Sequence, residues 1–178
     1  YLENLKIFSI ETRIFIDDFF IFDKRYFNIL FAGNIGFAQD FNTIIKAAIY
    51  LQEKGIEINW VIIGDGRAKE SLMNQINIYK LANIFHFFGI KPSEEMPYYF
   101  ACADALLVSL KKTSIFSITI PSKLQSYLAC KKPIIANISG IGAEKIIESK
   151  SGFVSNSGNF EMLAKNIETM KNKSTLEM

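Results

Sequence analysis

The sequence predicts an α/β protein with a doubly wound, parallel, six-stranded, Rossmann-like sheet. Three observations carry this. From Phe27 onward, short apolar runs alternate with segments of helical spacing. The runs lack polar–apolar alternation, as expected of strands covered on both faces. Three of them, Phe27–Ala32, Ile58–Ile63 and Ile84–Phe88, end directly on glycine, at Gly33, Gly64 and Gly89. Parallel neighbours need a crossover helix, and right-handed crossovers place helices on both faces.

Residues 1–26 read as a connector, with Ile7, Phe8 and Ile10 able to start a strand and Asp17-Asp18-Phe19-Phe20 reading as a turn. After the first strand, Asp40–Lys54 carries apolar residues at Phe41, Ile44, Ile45, Ala48 and Leu51, a helical stripe stopped at Gly55. Ile58–Ile63 is the second strand and Ala68–Leu81 the second helix, with Asp65 placed to cap it. Ile84–Phe88 is the third strand. Ser93 then reads as the cap of a helix running to Ala103, with Glu94 and Glu95 in its first turn. Ala105–Ser109 is the fourth strand, Leu110–Ile120 a polar loop, and Ser122–Cys130 a short helix introduced by Pro121. Pro133–Asn137 and Gly152–Val154 complete the strands, separated by a helix within Gly140–Ser149. Asn159–Lys171 is the last amphipathic helix of a domain spanning 27–171, and 172–178 reads as a frayed tail.

Composition narrows the function. The chain has 178 residues, 49% apolar and 21% charged, with net charge +2. That suits one domain with a real core, without the basic excess of a nucleic-acid binder. Cys102 and Cys130 lack metal-ligand spacing and His86 is the lone histidine, so no metal site is expected. No apolar run reaches the roughly 18 residues of a membrane helix, and no signal peptide is legible. The expected setting is cytoplasmic, peripheral at most to the inner membrane face. The start at Tyr1 carries the expectation of a further segment upstream.

Ligands in such sheets bind outside the carboxyl ends of the strands, which selects loops 33–40, 64–67, 89–93, 109–122 and 137–143. Gly33-Asn34-Ile35-Gly36 precedes a helix, where backbone amides and the helix dipole favour an anion, and Asn34 and Gln39 add side-chain amides. The spacing is neither a dinucleotide fingerprint nor a P-loop. Ile90 and Lys91 follow the third strand, where the Ile90 backbone can read the edge of a planar base. Ser117, Ile118, Thr119, Ile120, Ser122 and Lys123 gather hydroxyls, amides and a cation before a helix N-terminus, the grip a pyrophosphate needs. Lys111 and Lys112 read equally as a solvated loop. A cation in the first turn opposes the helix dipole, so Lys123 is the candidate catalytic cation, facing an anionic ligand.

The motifs G-x-x-G, V-I-I-G-D-G, F-F-G-I-K-P, A-D-A-L-L-V-S-L and I-P-S-K-L-Q-S-Y-L-A-C-K-K-P-I-I-A, in that order over residues 27–170, resemble the C-terminal domain of GT-B glycosyltransferases of group 1, family 4. Within that group the sequence resembles the branch that builds bacterial O-antigen and capsule, including N-acetyl-L-fucosamine transferases. The resemblance implies half of a GT-B fold that holds a nucleoside diphosphate sugar, a UDP-sugar above others. It implies retaining, metal-free and cofactor-free transfer to a lipid-linked acceptor, held by an N-terminal domain. Gly33 and Gly36 match the family's donor loop, but Asn34 and Gln39 stand where an Arg and a Lys are usual. The paired glutamates would fall at Ile118 and Ser126, leaving Ser126 as a weak ribose ligand. The amides of Ser117 to Ile120 match the pyrophosphate segment and Ile90 the base-reading loop. Alternatives are a UDP-N-acetylglucosamine 2-epimerase, for which Glu144 is the obvious acid in the last ligand loop, and a non-catalytic nucleotide-binding module.

Overall fold

The structure, a computed structural model, describes residues 22–23 and 25–176, with side chains to 173. Most of the expected connector, including the Ile7–Ile10 strand start and the Asp17–Phe20 turn, lies outside the described residues. Among the described residues, six strands form one sheet in the order β3-β2-β1-β4-β5-β6. They are β1 (Phe27–Ala32), β2 (Ile58–Ile63), β3 (Phe85–Gly89), β4 (Ala105–Ser109), β5 (Ile134–Asn137) and β6 (Gly152–Ser155). Every pairing is parallel. The helices are α1 (Phe41–Glu53), α2 (Lys69–Ile78), α3 (Met96–Cys102), α4 (Ser114–Ser117), α5 (Ser122–Ala129), α6 (Ile141–Glu148) and α7 (Phe160–Leu176).

Successive strand residues point to opposite faces, and both faces are covered. Ile29, Phe31, Trp60 and Ile62 pack with α1, α2 and α7 through Ile44, Ala48, Leu72 and Leu163. Leu30, Val61, Leu106 and Val108 pack with α3, α5 and α6 through Phe100, Leu124 and Ile146. Full burial of each large apolar side chain contributes roughly 1.5–3 kcal/mol, so the two half-cores supply most of the driving force. This double cover is why the strand sequences do not alternate.

Several boundaries differ from the sequence expectation. The second helix stops at Ile78 rather than Leu81, because Lys80 turns into the left-handed region (φ 56°). Ser93 does not cap the third helix; its hydroxyl donates to Glu94, and the helix starts at Met96. Pro97 dictates this start, since proline fits only the first turn. Asp65 does not cap α2 either: it accepts from the Gly66 amide at 2.7 Å and from Lys69 Nζ at 2.7 Å. The 110–120 loop contains the one-turn helix α4, whose first turn is capped by Thr113 Oγ1 accepting from the Phe116 amide at 3.1 Å. The last helix continues to Leu176, past the expected end at Lys171, because no Gly or Pro interrupts it.

A row of polar side chains crosses β3, β2 and β1 near their amino ends and reaches Asp104, just before β4. His86 Nε2 lies 2.6 Å from Asn59 Oδ1. Asn59 Nδ2 donates to Asn28 Oδ1 at 3.0 Å, and Asn28 Nδ2 donates to Asp104 Oδ2 at 3.2 Å. The carbonyl of Asn59 can only accept, so His86 carries its proton on Nε2. Burial pushes the His86 imidazole below its usual range, and the chain of donors runs from β3 to the Asp104 carboxylate.

Candidate functional site

The functional edge follows from the strand order. The chain leaves β1 toward β2 on one side, while β4 flanks β1 on the other, and a crevice opens where the directions diverge. The loops after β1, β2 and β3 are stitched together at this edge. Gly33 N donates to Ile63 O at 2.9 Å, Gly64 N to Gly89 O at 2.6 Å, and Ile35 N to Asp65 O at 2.8 Å. Gly33 and Gly64 adopt φ of 133° and 131°, and a Cβ on Gly64 would overlap Gly33 O. The glycines therefore keep the floor of the crevice low. Gly64→Ala is expected to destabilise the chain by about 2–4 kcal/mol, from strain plus a backbone clash, and urea unfolding measures it.

The crevice encloses about 420 Å³. Gly33, Asn34, Gly64 and Asp65 line one side, Ile90, Lys91 and Ser93 a second, and Lys123, Ser126 and Tyr127 a third. The last three sit at i, i+3 and i+4 of α5 and share one helix face. Tyr127 anchors that face: its hydroxyl accepts from Ala32 N at 2.9 Å and lies 3.4 Å from Ala32 O, tying α5 to the end of β1. Burial pushes the Tyr127 phenol above its usual range, so it stays neutral. Lys91 Nζ rests 5.6 Å from the Tyr99 ring centroid and 5.8 Å from that of Phe88, and Ile90 is 78% exposed at the rim.

Lys123 is the central charge. Its stem crosses the carboxyl end of β1, placing Nζ 3.7 Å from the Phe31 ring centroid and 2.9 Å from Gln39 Oε1. A Cβ on Gly33 would lie 3.3 Å from this ammonium nitrogen. Burial lowers its pKa to about 7, against the pull of the Phe31 π face and the Gln39 carbonyl. Burial thus disfavours the charged form of the amine beside the glycine floor, and a neighbouring anion would favour it.

Of the residues expected from sequence, Gly33, Asn34, Ile90, Lys91, Lys123 and Ser126 converge on this crevice. Gly36 and Gln39 do not line it: Gly36 is extended (φ −111°) behind Asn34, and the Gln39 amide holds Lys123. Ser117 and Thr119 line a closed slot against Ser139 and Gly142, with no room for a ligand. The amides of Ser117 and Ile118 donate within their own turn, to Thr113 O and Ile115 O, so they are not offered to a pyrophosphate. The Ser117 and Thr119 hydroxyls bond to the same two carbonyls. Ile118 and Ile120 are 72% and 42% exposed and line neither cavity. Ser122 is exposed outside the crevice, as is Glu144 on α6. Lys111 lines the closed slot, its amide bonded to Ala38 O at 2.9 Å, and Lys112 is exposed.

Sequence reasoning selected the loops of Asp65 and Ser93 but read both residues as helix caps, and it missed Tyr127 and the Phe31 ring beneath Lys123. It also missed the buried Ser109–Asn137 pair, 3.0 Å apart at the ends of β4 and β5, which Asp40 joins at 3.3 Å. Among the described residues, no group of three or more His, Cys, Asp or Glu is placed to hold a metal ion, and no helix is long and apolar enough to cross a membrane.

Comparison with known proteins matches residues 13–178 to the family described as glycosyl transferases group 1. No curated protein matches in sequence. Among solved structures, the fold is similar to Staphylococcus aureus TarM, crystallised as a point mutant with fondaparinux, alpha-GlcNAc-glycerol and UDP (TM-score 0.73, 15% identity, covering 85% of this chain and 29% of that one). It is similar to Anabaena Alr3699/HepE in complex with UDP and glucose (TM-score 0.69, 20% identity, 84% and 40% covered). It also resembles the C-terminal domain of a group 1 family protein, LpcC, from Francisella tularensis (TM-score 0.67, 23% identity, 86% and 81% covered). The chain thus spans well under half the length of TarM and HepE.

Proposed function

Since this chain belongs to the group 1 glycosyl transferases, we propose that its crevice holds the donor, a nucleoside diphosphate sugar and specifically a UDP-sugar, for retaining transfer to a lipid-linked acceptor. The carrying observation is the Lys123 ammonium beside the glycine floor of β1. In this reading the diphosphate lies between the Gly33–Asn34 backbone and Lys123. The base sits against Ile90, and Ser126 offers the ribose one hydroxyl. The bond between the anomeric carbon and the β-phosphate oxygen breaks with its electron pair going to the diphosphate. Fixed positive potential at that oxygen lowers the barrier, and one such contact is worth about 3 kcal/mol. Lys123 supplies it where loop cations are absent. HepE, crystallised with UDP-glucose, supports the donor class. The acceptor and the general-base chemistry belong to a second domain in this reading. The exposed Phe37, Ile115, Ile118 and Ile141, in the segments that follow β1, β4 and β5, give that domain or the acceptor an apolar surface to close upon. The branch proposed is that of surface-polysaccharide enzymes, including N-acetyl-L-fucosamine transferases, acting at the inner membrane face.

Calorimetric titration with UDP, and a crystal soaked with it, test the donor site. Density beside Gly33 and Lys123 is expected; a silent titration, or ligand bound elsewhere, ends the proposal. Labelled-sugar transfer by the full-length protein separates a transferase from an epimerase.

A pH effect follows from Lys123. The protein alone holds it near pKa 7, and a bound diphosphate favours the charged form. Binding above pH 7 should therefore take up as much as about one proton per UDP. Titrations in two buffers of different ionisation enthalpy read this uptake. Equal heats in both would show that Lys123 does not change charge on binding.

A further inference from the structure

Asp40 is the unusual residue behind the site. Among the described residues, four other than glycine have left-handed backbone: Asp40 (φ 51°), Lys80, Lys131 and Lys150. The three lysines follow the ends of α2, α5 and α6, where that conformation terminates helices. Asp40 instead stands at the start of α1, yet its carboxylate caps no backbone amide there. Its Oδ2 accepts from Thr43 Oγ1 at 2.7 Å and, from across the sheet, from Asn137 Nδ2 at 3.3 Å. Asn137 is fully buried at the end of β5 and is fixed by Ser109 Oγ at 3.0 Å and by the Gly158 amide, which donates to its Oδ1 at 3.1 Å. The loop after β1 is thus tied over β4 to β5. Gln39, the residue next to this tie, holds Lys123 Nζ.

Resting on the donor-site reading above, we infer that Asp40 is a positioning residue: its strut to Asn137 holds Gln39 where its carbonyl aims the Lys123 ammonium at the donor diphosphate. The left-handed backbone at Asp40 turns Gln39 toward α5, and Ala38 O, bonded to the Lys111 amide, pins the other side of the same turn. A carbonyl accepting from Nζ favours the charged amine over the neutral one. Loss of the strut therefore weakens both the placement and the charge of Lys123. The other ionisable groups on the crevice are Asp65, already paired with Lys69, together with Lys91 and the neutral Tyr127.

The test is UDP titration of the whole chain across the neutral pH range for wild type, Asp40→Gly, Asp40→Asn and Gln39→Ala. Glycine keeps the left-handed backbone without the carboxylate, so the Asp40→Gly fold should persist, with a melting temperature a few degrees below wild type because buried Asn137 and Thr43 each lose an acceptor. Its UDP affinity should fall about tenfold at neutral pH, with the alkaline loss of affinity beginning at lower pH. Gln39→Ala should reproduce both changes. Asn tolerates the backbone, and its carbonyl can accept from Thr43 and Asn137, so Asp40→Asn should restore binding close to wild type. Asp40→Gly matching wild type in affinity and pH profile would overturn the strut, as would Asp40→Asn binding as weakly as Asp40→Gly. If Lys123→Met loses UDP while Asp40→Gly keeps it, the strut alone fails. If wild type binds no UDP, the donor site fails and takes the strut with it.

Discussion

Lys123→Met is expected to lower UDP affinity at neutral pH by about tenfold to a hundredfold while making the fold more stable, because the residue is placed against the preferences of the structure. Met preserves length and can keep contact with the Phe31 ring, so packing changes little. The stability effect has a definite sign. The Lys123 pKa falls from 10.5, its ordinary value, to about 7 in the folded chain. Between those values the unfolded state binds one more proton than the folded state. Wild-type stability therefore rises with pH through that window, and the full penalty is present below about pH 7. The displacement corresponds to at most about 5 kcal/mol, reduced by solvent relaxation around a partly exposed group. Urea unfolding from roughly pH 6 to 9 should show the slope in wild type and its absence in the variant, with the gap widest at the acid end. Identical pH slopes would mean that Lys123 is not desolvated as described. Unchanged UDP affinity would remove it from the donor site. Together the two readouts distinguish a cation retained for binding from one retained for packing.

The strands and their order along the chain were legible because each is a two-faced apolar run closed by a turn, a pattern driven by burial alone. Lys123 was legible for a similar reason: a cation in the first turn of a helix is locally unfavourable and asks for a partner. The convergence of loops was harder to read. Ser117 and Thr119 follow β4 and pack against Ser139 and Gly142 of the segment after β5, while α5, only a few residues on, turns Lys123, Ser126 and Tyr127 back to the loops after β1, β2 and β3. Which loops meet depends on spatial strand order, and no local propensity in the sequence carries it. The Asp40 tie was hidden in the same way, since its partner is 97 residues away. Helix starts were missed where one residue overrode the pattern, as Pro97 did at α3. The polar row across the sheet left only a faint trace: Asn28, Asn59 and His86 are each the second residue of their strand, and Asp104 directly precedes β4. Alone, each resembles an ordinary interruption of an apolar run.

That row gives the largest stability change expected away from the crevice. Asn28→Leu is nearly isosteric and stays on β1, but it removes the middle of the relay. Asn28 Nδ2 also donates to Tyr26 O at 2.9 Å, and its Oδ1 is the acceptor for Asn59 Nδ2. After the change, Asp104 Oδ2 retains the Asn28 backbone amide at 2.7 Å, while the 6%-exposed Asn59 loses its Asn28 acceptor. Breaking these bonds and leaving the Asp104 carboxylate with fewer donors costs about 2–3 kcal/mol in total, a fall of roughly 5–10 °C in Tm for a domain of this size. Asn59 and His86 also line a cavity of about 450 Å³ at the amino edge of the sheet, so water entering there sets how much of this loss is compensated. The triple change Asn28→Leu, Asn59→Leu and His86→Leu should recover much of the loss, since it removes the polar groups along with the bonds between them. UDP affinity should remain at the wild-type level in both variants, because the row crosses the amino ends of the strands and the crevice lies at their carboxyl ends. A single variant within about 1 kcal/mol of wild type would show that the relay adds no more to the sheet than ordinary packing does.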